Sequence, residues 1–212
     1  MNRETAERLI SSCNSNNKLC PPFDRMVHRI GDYVVTLVNH EKRYDNSKTD
    51  IQTVRLRNKQ IIKSIELIKK YTNIPVPSIV YHSNSNDIII YEYIEGESLF
   101  EISSRMNNKE KERVINKTKE YISQLSKIPY KEGFDIRHPS VERNIKTDEK
   151  LFFQHSDLHP SNIIISKEKQ DNNHGAFKLS IIDWEFAGYY TLKEIREIHI
   201  SHNQEEYWKK IY

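Results

Sequence analysis

The sequence predicts an α+β protein, because strand-like hairpins and amphipathic helices occupy separate stretches of its 212 residues. Short apolar runs bounded by turn residues pair as hairpins in 27–38 and 162–182. Apolar residues at helical spacing instead fill 57–71 and 109–127. A chain of this length suits one large or two small domains, and no clear linker divides it.

Composition excludes several classes of protein. The chain has 33 basic and 30 acidic residues, a net charge of +3, and this nearly even balance does not indicate a nucleic-acid partner. Cys13 and Cys20, the only cysteines, exclude a disulfide-dense scaffold and give no zinc-binding spacing. The start has no apolar region of the kind found in signal peptides, so none is expected, and no apolar run approaches the roughly 18 residues of a membrane helix. We therefore expect a cytoplasmic protein without a membrane partner.

The first elements in the chain are a helix and a hairpin. A short helix is expected over about 3–10, followed by a polar loop. Residues 27–30 and 33–38 form the hairpin, and Gly31 suits a turn that requires positive φ.

A helix over 57–71 comes next, and its apolar face is formed by Ile61, Ile65 and Ile68. Pro75 and Pro77 follow its end. Strands at 78–82 and 87–94, joined by a polar turn, complete the first half of the chain.

The second half is predicted to be mainly helical. Helices begin at the capping-box motifs Ser98-x-x-Glu101 and Thr191-x-x-Glu194. Between them, 109–127 has apolar residues at helical spacing and a strongly charged opposite face, as expected for a core helix.

One hairpin carries polar side chains where its strands meet loops. Strands at 162–166 and 177–182 flank a turn-rich segment. Asp157 and Asn162 come before the first strand, and Asp183 ends the second. The hairpin therefore brings Asn162 and Asp183 to the same end of a rigid scaffold, with Asp157 beside them.

These three side chains suit phosphoryl transfer from a nucleotide. Asn162 and Asp183 offer the hard oxygen ligands that Mg²⁺ takes alongside phosphate oxygens. Asp157 can accept or orient the proton of an attacking hydroxyl. The alternative is structural: Asp157 and Asn162 cap loop backbone, and Asp183 only ends a strand.

The motifs His155-x-Asp157-x-x-x-x-Asn162 and Ile181-Ile182-Asp183-Trp184-Glu185 carry a family resemblance. The sequence resembles the aminoglycoside phosphotransferase and choline kinase branch of the protein-kinase-like superfamily, in the version common in fungi. This resemblance implies a two-lobed protein-kinase-like fold. A small nucleotide-binding lobe, 1–94, would hold an antiparallel sheet plus a helix, and a larger catalytic lobe, 95–212, would be mainly helical with a catalytic hairpin.

The resemblance also implies the activity. Asp157 would be the catalytic base, Asn162 and Asp183 the metal ligands, and ATP with Mg²⁺ the cofactors. The hinge backbone from Glu92 to Ile94 would read the adenine edge. A small-molecule hydroxyl would be the acceptor, and Asp-Trp-Glu in place of Asp-Phe-Gly argues against a protein kinase.

Two histidines of the same motif are expected to have other roles. His155 would pack and hydrogen-bond the loop, as its equivalent does in kinase-like folds. His159 is expected to be an exposed loop residue without a metal role.

The nucleotide-binding half departs from the family pattern. The family's third strand carries a Lys that grips the phosphates and pairs with a Glu on the next helix. Here Thr36 stands at the Lys position, and the expected Glu falls near Lys63. One hypothesis is that Lys63 supplies the missing charge from the helix; the other is that Lys63 is merely solvated.

The acceptor region leaves two interpretations open. The irregular segment 129–150 is shorter than its counterpart in relatives. Acidic residues where relatives recognise cationic acceptors suggest a cationic acceptor here: Glu185, Glu194, Glu197, Glu205 and Glu206. The alternative to an enzyme is a catalytically weak or inactive kinase-like protein that binds a nucleotide or a partner, which Thr36 favours.

Overall fold

The computed structural model describes residues 1–21, 23–40, 50–134, 136–139, 141, 149–167 and 177–201, with backbone alone at 167 and 199–201. In chain order the helices are α1 (Arg3–Ser11), α2 (Ile51–Tyr71), α3 (Leu99–Ile102), α4 (Asn108–Leu125) and α5 (Leu192–Ser201). The strands are β1 (Arg25–Ile30), β2 (Tyr33–Val38), β3 (Ile79–His82), β4 (Ile88–Glu92), β5 (Glu97–Ser98), β6 (Phe152–Gln154), β7 (Ile163–Lys167), β8 (Phe177–Ile181) and β9 (Gly188–Tyr190). The α+β composition is as predicted.

The first half of the chain builds a four-stranded antiparallel sheet in the order β1-β2-β4-β3. The hairpin predicted around Gly31 is confirmed, and Gly31 has φ of +58° in the turn. The strands predicted at 78–82 and 87–94 are present as β3 and β4, each slightly shorter than predicted.

Helix α1 covers one face of this sheet. Ala6, which is fully buried, packs with Val35 of β2 and Ile90 of β4 in a small apolar cluster. The side chain of Asn2 accepts a hydrogen bond from Thr5 N and so caps the helix. The short helix predicted over 3–10 is confirmed.

Helix α2 is six residues longer than predicted at its start and ends at Tyr71, as predicted. The N-cap is Asp50, whose side chain accepts from Thr53 N at 2.8 Å. The first two turns contain one buried residue, Val54, so apolar periodicity alone placed the start too late. The predicted apolar face of Ile61, Ile65 and Ile68 is buried in the main core.

The second half of the chain surrounds that core with small sheets and helix α4. Strands β5, β7 and β8 form one sheet, and β6 and β9 form another. The largest fully buried side chains include Trp184, Tyr190 and Phe153. The hairpin prediction is confirmed by the pairing of β7 with β8; residues 168–176, which join them, lie outside the described residues.

Both predicted capping boxes form. Ser98 N donates to Glu101 Oε2, and Thr191 N donates to Glu194 Oε2, at 2.9 and 2.7 Å. The described part of 129–150 contains neither helix nor strand, as expected.

Candidate functional site

A cleft of about 820 Å³ lies between the four-stranded sheet and the β7–β8 hairpin. Thr36 of β2 lines one side, and Asn162 and Asp183 line the other. A cavity of this volume is typical of a small-ligand site.

The loop after β6 places Asp157 beside Asn162. Asn162 Nδ2 donates to the backbone oxygen of Asp157 at 2.9 Å and lies 3.4 Å from carboxylate Oδ2 of Asp157. Asn162 is buried, whereas Asp157 is partly exposed. Among the described residues, all hydrogen bonds of the Asn162 side chain involve Nδ2, so Oδ1 remains an available oxygen ligand.

His155 holds the same loop against the hairpin. Its Nδ1 accepts from Asp157 N at 3.3 Å, so the proton lies on Nε2, which donates to Ile182 O at 2.8 Å. Burial lowers the pKa of His155 to about 4, which keeps the ring neutral. The expected structural role of His155 agrees with these contacts.

The register of the hairpin brings Asp183 to this loop. Ile163 pairs with Ile181, and Ile182 N donates to Asn162 O at 3.0 Å. Asp183 therefore leaves β8 at the end where Asn162 enters β7. The structure thus brings together the three side chains that the sequence analysis singled out.

Two residues of the site have left-handed backbone conformations. Ser156 has φ of +64° and Asp183 has φ of +60°. Such conformations cost about 1–3 kcal/mol for non-glycine residues and concentrate at functional sites. Asp183 lines the cleft, and Ser156 directly precedes Asp157.

The carboxyl group of Asp183 is held in an unfavourable electrostatic environment. Asp183 is exposed on the cleft, but the protein around it reduces the hydration of its carboxyl group. This desolvation, followed by the negative charge of Glu185, raises the pKa of Asp183 to about 7, although Arg25 opposes the shift. A bound cation would relieve the repulsion.

His159 lies closer to the site than expected. Its side chain is 35% exposed, and Nε2 lies 3.2 Å from Asn162 Nδ2 and 3.8 Å from Asp157 Oδ2. His159 is a partly exposed loop residue, and its ring also contacts the site, which was not expected. The turn at 160–162, in which His159 Nδ1 accepts from Ser161 N, folds the ring back over Asn162.

Glu92 and Ile94, the predicted hinge residues, both line the cleft. The backbone N–H groups of Glu92 and Tyr93 donate to Ser78 O and Asp32 O, at 2.9 and 2.7 Å. No described residue accepts a hydrogen bond from Ile94 N, so this donor remains available to a ligand.

The hypothesis that Lys63 replaces the missing strand lysine is wrong. Thr36 lines the cleft, but Lys63 Nζ donates to the backbone oxygen of Gly133 at 3.1 Å, away from the cleft. Ile61 and Ile65 are the α2 residues that face the cleft. Lys63 lies two positions from each of them, which corresponds to about 200° around the helix.

Sequence reasoning missed a different basic residue, Arg25 at the start of β1. Its Nε donates to Asn58 Oδ1 at 2.9 Å, and Nη1 donates to Glu185 Oε2 at 2.8 Å. The Arg25 and Glu185 side chains are 12% and 15% exposed. Strand alternation could have located Arg25, because it shares a sheet face with Val27, the pairing partner of Thr36.

A second arginine supports the same carboxylate from outside the cleft lining. Arg57 Nη1 donates to Asp24 Oδ2 at 3.0 Å and lies 3.8 Å from Glu185 Oε2. Two cations therefore flank Glu185, which anchors the segment after Asp183 to both β1 and α2.

The acidic residues proposed for a cationic acceptor are mostly engaged elsewhere. Glu194 pairs with Arg137 at 2.6 Å, and Glu197 lies 3.8 Å from Lys193. Glu205 and Glu206 lie outside the described residues. Of the five residues, Glu185 lines the cleft, together with five further carboxylates: Asp24, Glu92, Glu97, Glu101 and Asp183.

The fold is protein-kinase-like, as predicted. The structure matches the streptomycin–ATP ternary complex of the aminoglycoside phosphotransferase APH(2")-IIa with a TM-score of 0.61 and 13% identity, covering 100% of this chain and 85% of that one. It matches the ADP/Mg²⁺-phosphoaspartate complex of Rio2 kinase from Chaetomium thermophilum with a TM-score of 0.57 and 14% identity, covering 98% and 63%.

Ethanolamine kinase of Plasmodium vivax matches with a TM-score of 0.50 and 16% identity, covering 88% of this chain and 60% of that one. No protein-family model and no curated protein matches the sequence. At these identities the likeness establishes the fold alone. Membership of the superfamily, the particular branch and the lobe boundary after residue 94 stay predictions.

A helix that crosses a bilayer must be long and apolar. Within the described ranges, none of the helices has both the length and the apolar character needed.

Proposed function

We propose that the protein is an ATP- and Mg²⁺-dependent phosphotransferase that moves the γ-phosphate to a hydroxyl group of a small molecule. The observation that carries this proposal is that Asn162 and Asp183 line the cleft together, and that Asp157 lies in contact with Asn162. The protein-kinase-like fold supports it, because phosphoryl transfer in that fold depends on a carboxylate base and oxygen ligands for metal.

Asp157 is the proposed base. Its carboxylate would accept the proton of the attacking hydroxyl. Asn162 Nδ2 would orient Asp157 through its contacts with the backbone oxygen at 2.9 Å and with carboxylate Oδ2 at 3.4 Å. His155 would keep the Asp157 amide in place, because its neutral ring bridges that amide and Ile182.

Asn162 and Asp183 are the proposed metal ligands. Asn162 Oδ1 is available, and no described residue donates a hydrogen bond to the Asp183 carboxylate. The amide oxygen and the carboxylate therefore both fit a hard cation. When bound, Mg²⁺ would neutralise charge on the phosphoryl group. The backbone of Glu92 and Ile94 would contact the adenine edge, with Ile94 N as the available donor.

The acceptor is proposed to carry both a hydroxyl group and an amine. Solved complexes of structurally similar phosphotransferases contain streptomycin, gentamicin or kanamycin, and another neighbour is an ethanolamine kinase. An acidic cleft favours cations of this kind over nucleic acid or anionic membranes. A suitable first acceptor screen therefore contains streptomycin, gentamicin, kanamycin and ethanolamine.

The test combines binding and turnover. We expect ATP with Mg²⁺ to raise the melting temperature of the wild type more than Mg²⁺ or ATP alone, and Asp183→Asn to abolish the Mg²⁺-dependent part. GTP serves as a parallel donor. Absence of any shift at millimolar ATP and GTP would contradict the proposal.

The second candidate is a catalytically weak or inactive kinase-like protein that binds a nucleotide or a partner. Thr36 favours it, because Thr36 lines the cleft at the position where a phosphate-binding lysine is expected. Most acceleration of phosphoryl transfer comes from positioning and charge neutralisation, and the missing lysine would weaken both. Such a protein would show nucleotide binding without phosphate transfer to any acceptor, and Asp157→Asn would leave its binding properties unchanged.

A further inference from the structure

The cleft contains a single basic residue among its described lining side chains, Arg25. Six carboxylate residues line the same cleft: Asp24, Glu92, Glu97, Glu101, Asp183 and Glu185. A nucleotide triphosphate carries several negative charges and requires neighbouring cations. The position of the one available cation is therefore decisive for nucleotide binding.

We propose that Arg25 of β1 replaces the missing strand lysine and contacts the phosphate oxygens of the nucleotide. This inference rests on the proposed function. Val27 pairs with Thr36 across β1 and β2, and Arg25 lies two residues before Val27. Because side chains alternate along a strand, Arg25, Val27 and Thr36 share one face, and all three line the cleft.

The guanidinium group is held on two sides and lacks a partner on the third. Nε and Nη1 donate to Asn58 and Glu185, whereas Nη2 is buried without a hydrogen-bond acceptor among the described residues. A buried, unpaired donor on a charged group is unfavourable, and a phosphate oxygen would satisfy it. Because water does not reach Nη2, the side chain must rotate slightly toward the cleft to bind phosphate.

Glu185 and Asn58 act as the supports of Arg25. In ordinary kinases a strand lysine pairs with a glutamate from the following helix. Here α2 contributes the neutral Asn58, and the carboxylate comes from Glu185, two residues after Asp183. The ion pair is thus retained, but its cation is on the preceding strand and its anion is on the opposite side of the cleft.

A purely structural ion pair predicts a different result from a phosphate contact. A structural pair would affect all ligands of the cleft alike, whereas a phosphate contact affects ATP and ADP but not adenosine. Arg57 provides the matched control, because it also lies near Glu185 but does not line the cleft.

The experiment measures dissociation constants of adenosine, ADP and ATP with Mg²⁺ by calorimetry for the wild type, Arg25→Gln and Arg57→Gln. We expect Arg25→Gln to weaken ATP binding about 10- to 100-fold and to leave adenosine binding unchanged. Arg57→Gln should leave the ratio of ATP to adenosine affinity as in the wild type. Equal ratios in all three proteins would overturn the inference.

Two further variants keep the test informative if Arg25→Gln is unstable. Glu185→Gln removes the ion pair, and adding Arg25→Gln to that background should still weaken ATP selectively. Adding Thr36→Lys to Arg25→Gln should restore ATP affinity, because the cation returns to the same face of the sheet. Failure of both effects would contradict the role of Arg25.

The outcomes also separate this inference from the proposed function. A wild type that binds ATP while Arg25→Gln retains its selectivity for ATP overturns only the inference. A wild type that binds neither ATP nor GTP overturns both.

Discussion

The two walls of the cleft are built in different ways. The lower wall is built by one local unit, in which Asn162 and Asp183 line the cleft and Asp157 lies beside Asn162, five residues away in the chain. In the upper wall Arg25 and Thr36 line the cleft, and Asn58 accepts a hydrogen bond from Arg25. This wall depends on contacts between distant elements. Arg25 lies 33 residues from Asn58 and 160 residues from its partner Glu185.

These two constructions determine how each wall can change. Moving a side chain of the lower wall by one position would turn it to the other face of a strand or out of its turn. In the upper wall, a cation needs only to reach a certain point in space, so a neighbouring strand can supply it. We therefore expect the lower wall to depend on the exact spacing of its motif, whereas the proposed role of Arg25 would place the cation of the upper wall on a different strand.

The strongest change is expected in the lower wall. Asp157→Asn should reduce phosphate transfer about 10²- to 10⁴-fold, because an amide cannot accept the proton. Nucleotide affinity and melting temperature should stay close to those of the wild type. Transfer of labelled γ-phosphate in single turnovers measures the effect.

The control for this variant is Asp87→Asn, which breaks the ion pair with Arg55 outside the cleft. It should change stability without changing transfer. If Asp157→Asn retains full transfer, Asp157 is not the base and the lower wall has no catalytic role through it.

The second prediction concerns the junction of the walls at Gly96, which has φ of +149°. A Cβ atom there would lie 2.6 Å from Ile165 O, so β7 would have to shift. We expect Gly96→Ala to lower the free energy of unfolding by about 2–3 kcal/mol, from strain and displaced backbone. Denaturant titration provides the measurement.

Gly31 is the matched control, because it also has positive φ but a Cβ atom added there would meet no other atom within 4 Å. Gly31→Ala should cost about 1 kcal/mol, from backbone conformation alone. Equal losses in the two variants would show that the close approach of Gly96 to β7 is unimportant.

The third prediction is a pH effect at Asp183. Folding raises the pKa of this carboxyl from 3.8 to about 7, so the folded state binds more protons than the unfolded state between these values. The contribution of Asp183 therefore stabilises at low pH and is lost as pH rises from about 4 to 7. Asp183→Asn should remove this loss.

Melting temperatures of both proteins without ligand at pH 5 and pH 8 measure the contribution. We expect the wild type to lose about 2–4 °C more than Asp183→Asn, a value near 1 kcal/mol after allowance for solvent screening in the open cleft. An identical pH dependence in the two proteins would contradict the assigned environment of Asp183.

The weakest change is expected at Lys63. Lys63→Gln should cost about 0.5–1.5 kcal/mol, through the hydrogen bond to Gly133 O, and should leave nucleotide affinity unchanged. Calorimetry with ATP and Mg²⁺ measures the affinity. A selective loss of ATP binding would show that Lys63 of α2, after all, supplies the charge that the lysine position of the upper wall lacks.

The predictable part of the fold and the site consists of short-range patterns. The hairpins, the capping boxes at Ser98 and Thr191, and the apolar face of α2 all follow from residues within a few positions of one another. The convergence of Asn162 and Asp183 also follows from the register of one hairpin.

The parts that could not be predicted depend on three-dimensional contacts. The position of the His159 ring over Asn162 and the pairing of Arg25 with Glu185 have no signal in local spacing. Counting from a family pattern placed the expected glutamate position at Lys63. The face of α2 that turns toward the cleft is instead determined by which isoleucines are buried. Tertiary packing therefore decided the upper wall.

The hydrogen bonds of the Gln60 side chain restrict how helix α2 can move. Its side-chain nitrogen donates to Ile136 O and Ala187 O at 2.7 and 2.9 Å, and its oxygen accepts from Ile136 N at 3.0 Å. These contacts join α2 to segments 76 and 127 residues further along the chain. A swing of α2 away from them would break three hydrogen bonds of a buried amide. Opening of the cleft is therefore easier if the sheet tilts over a stationary α2 than if sheet and helix move as one body.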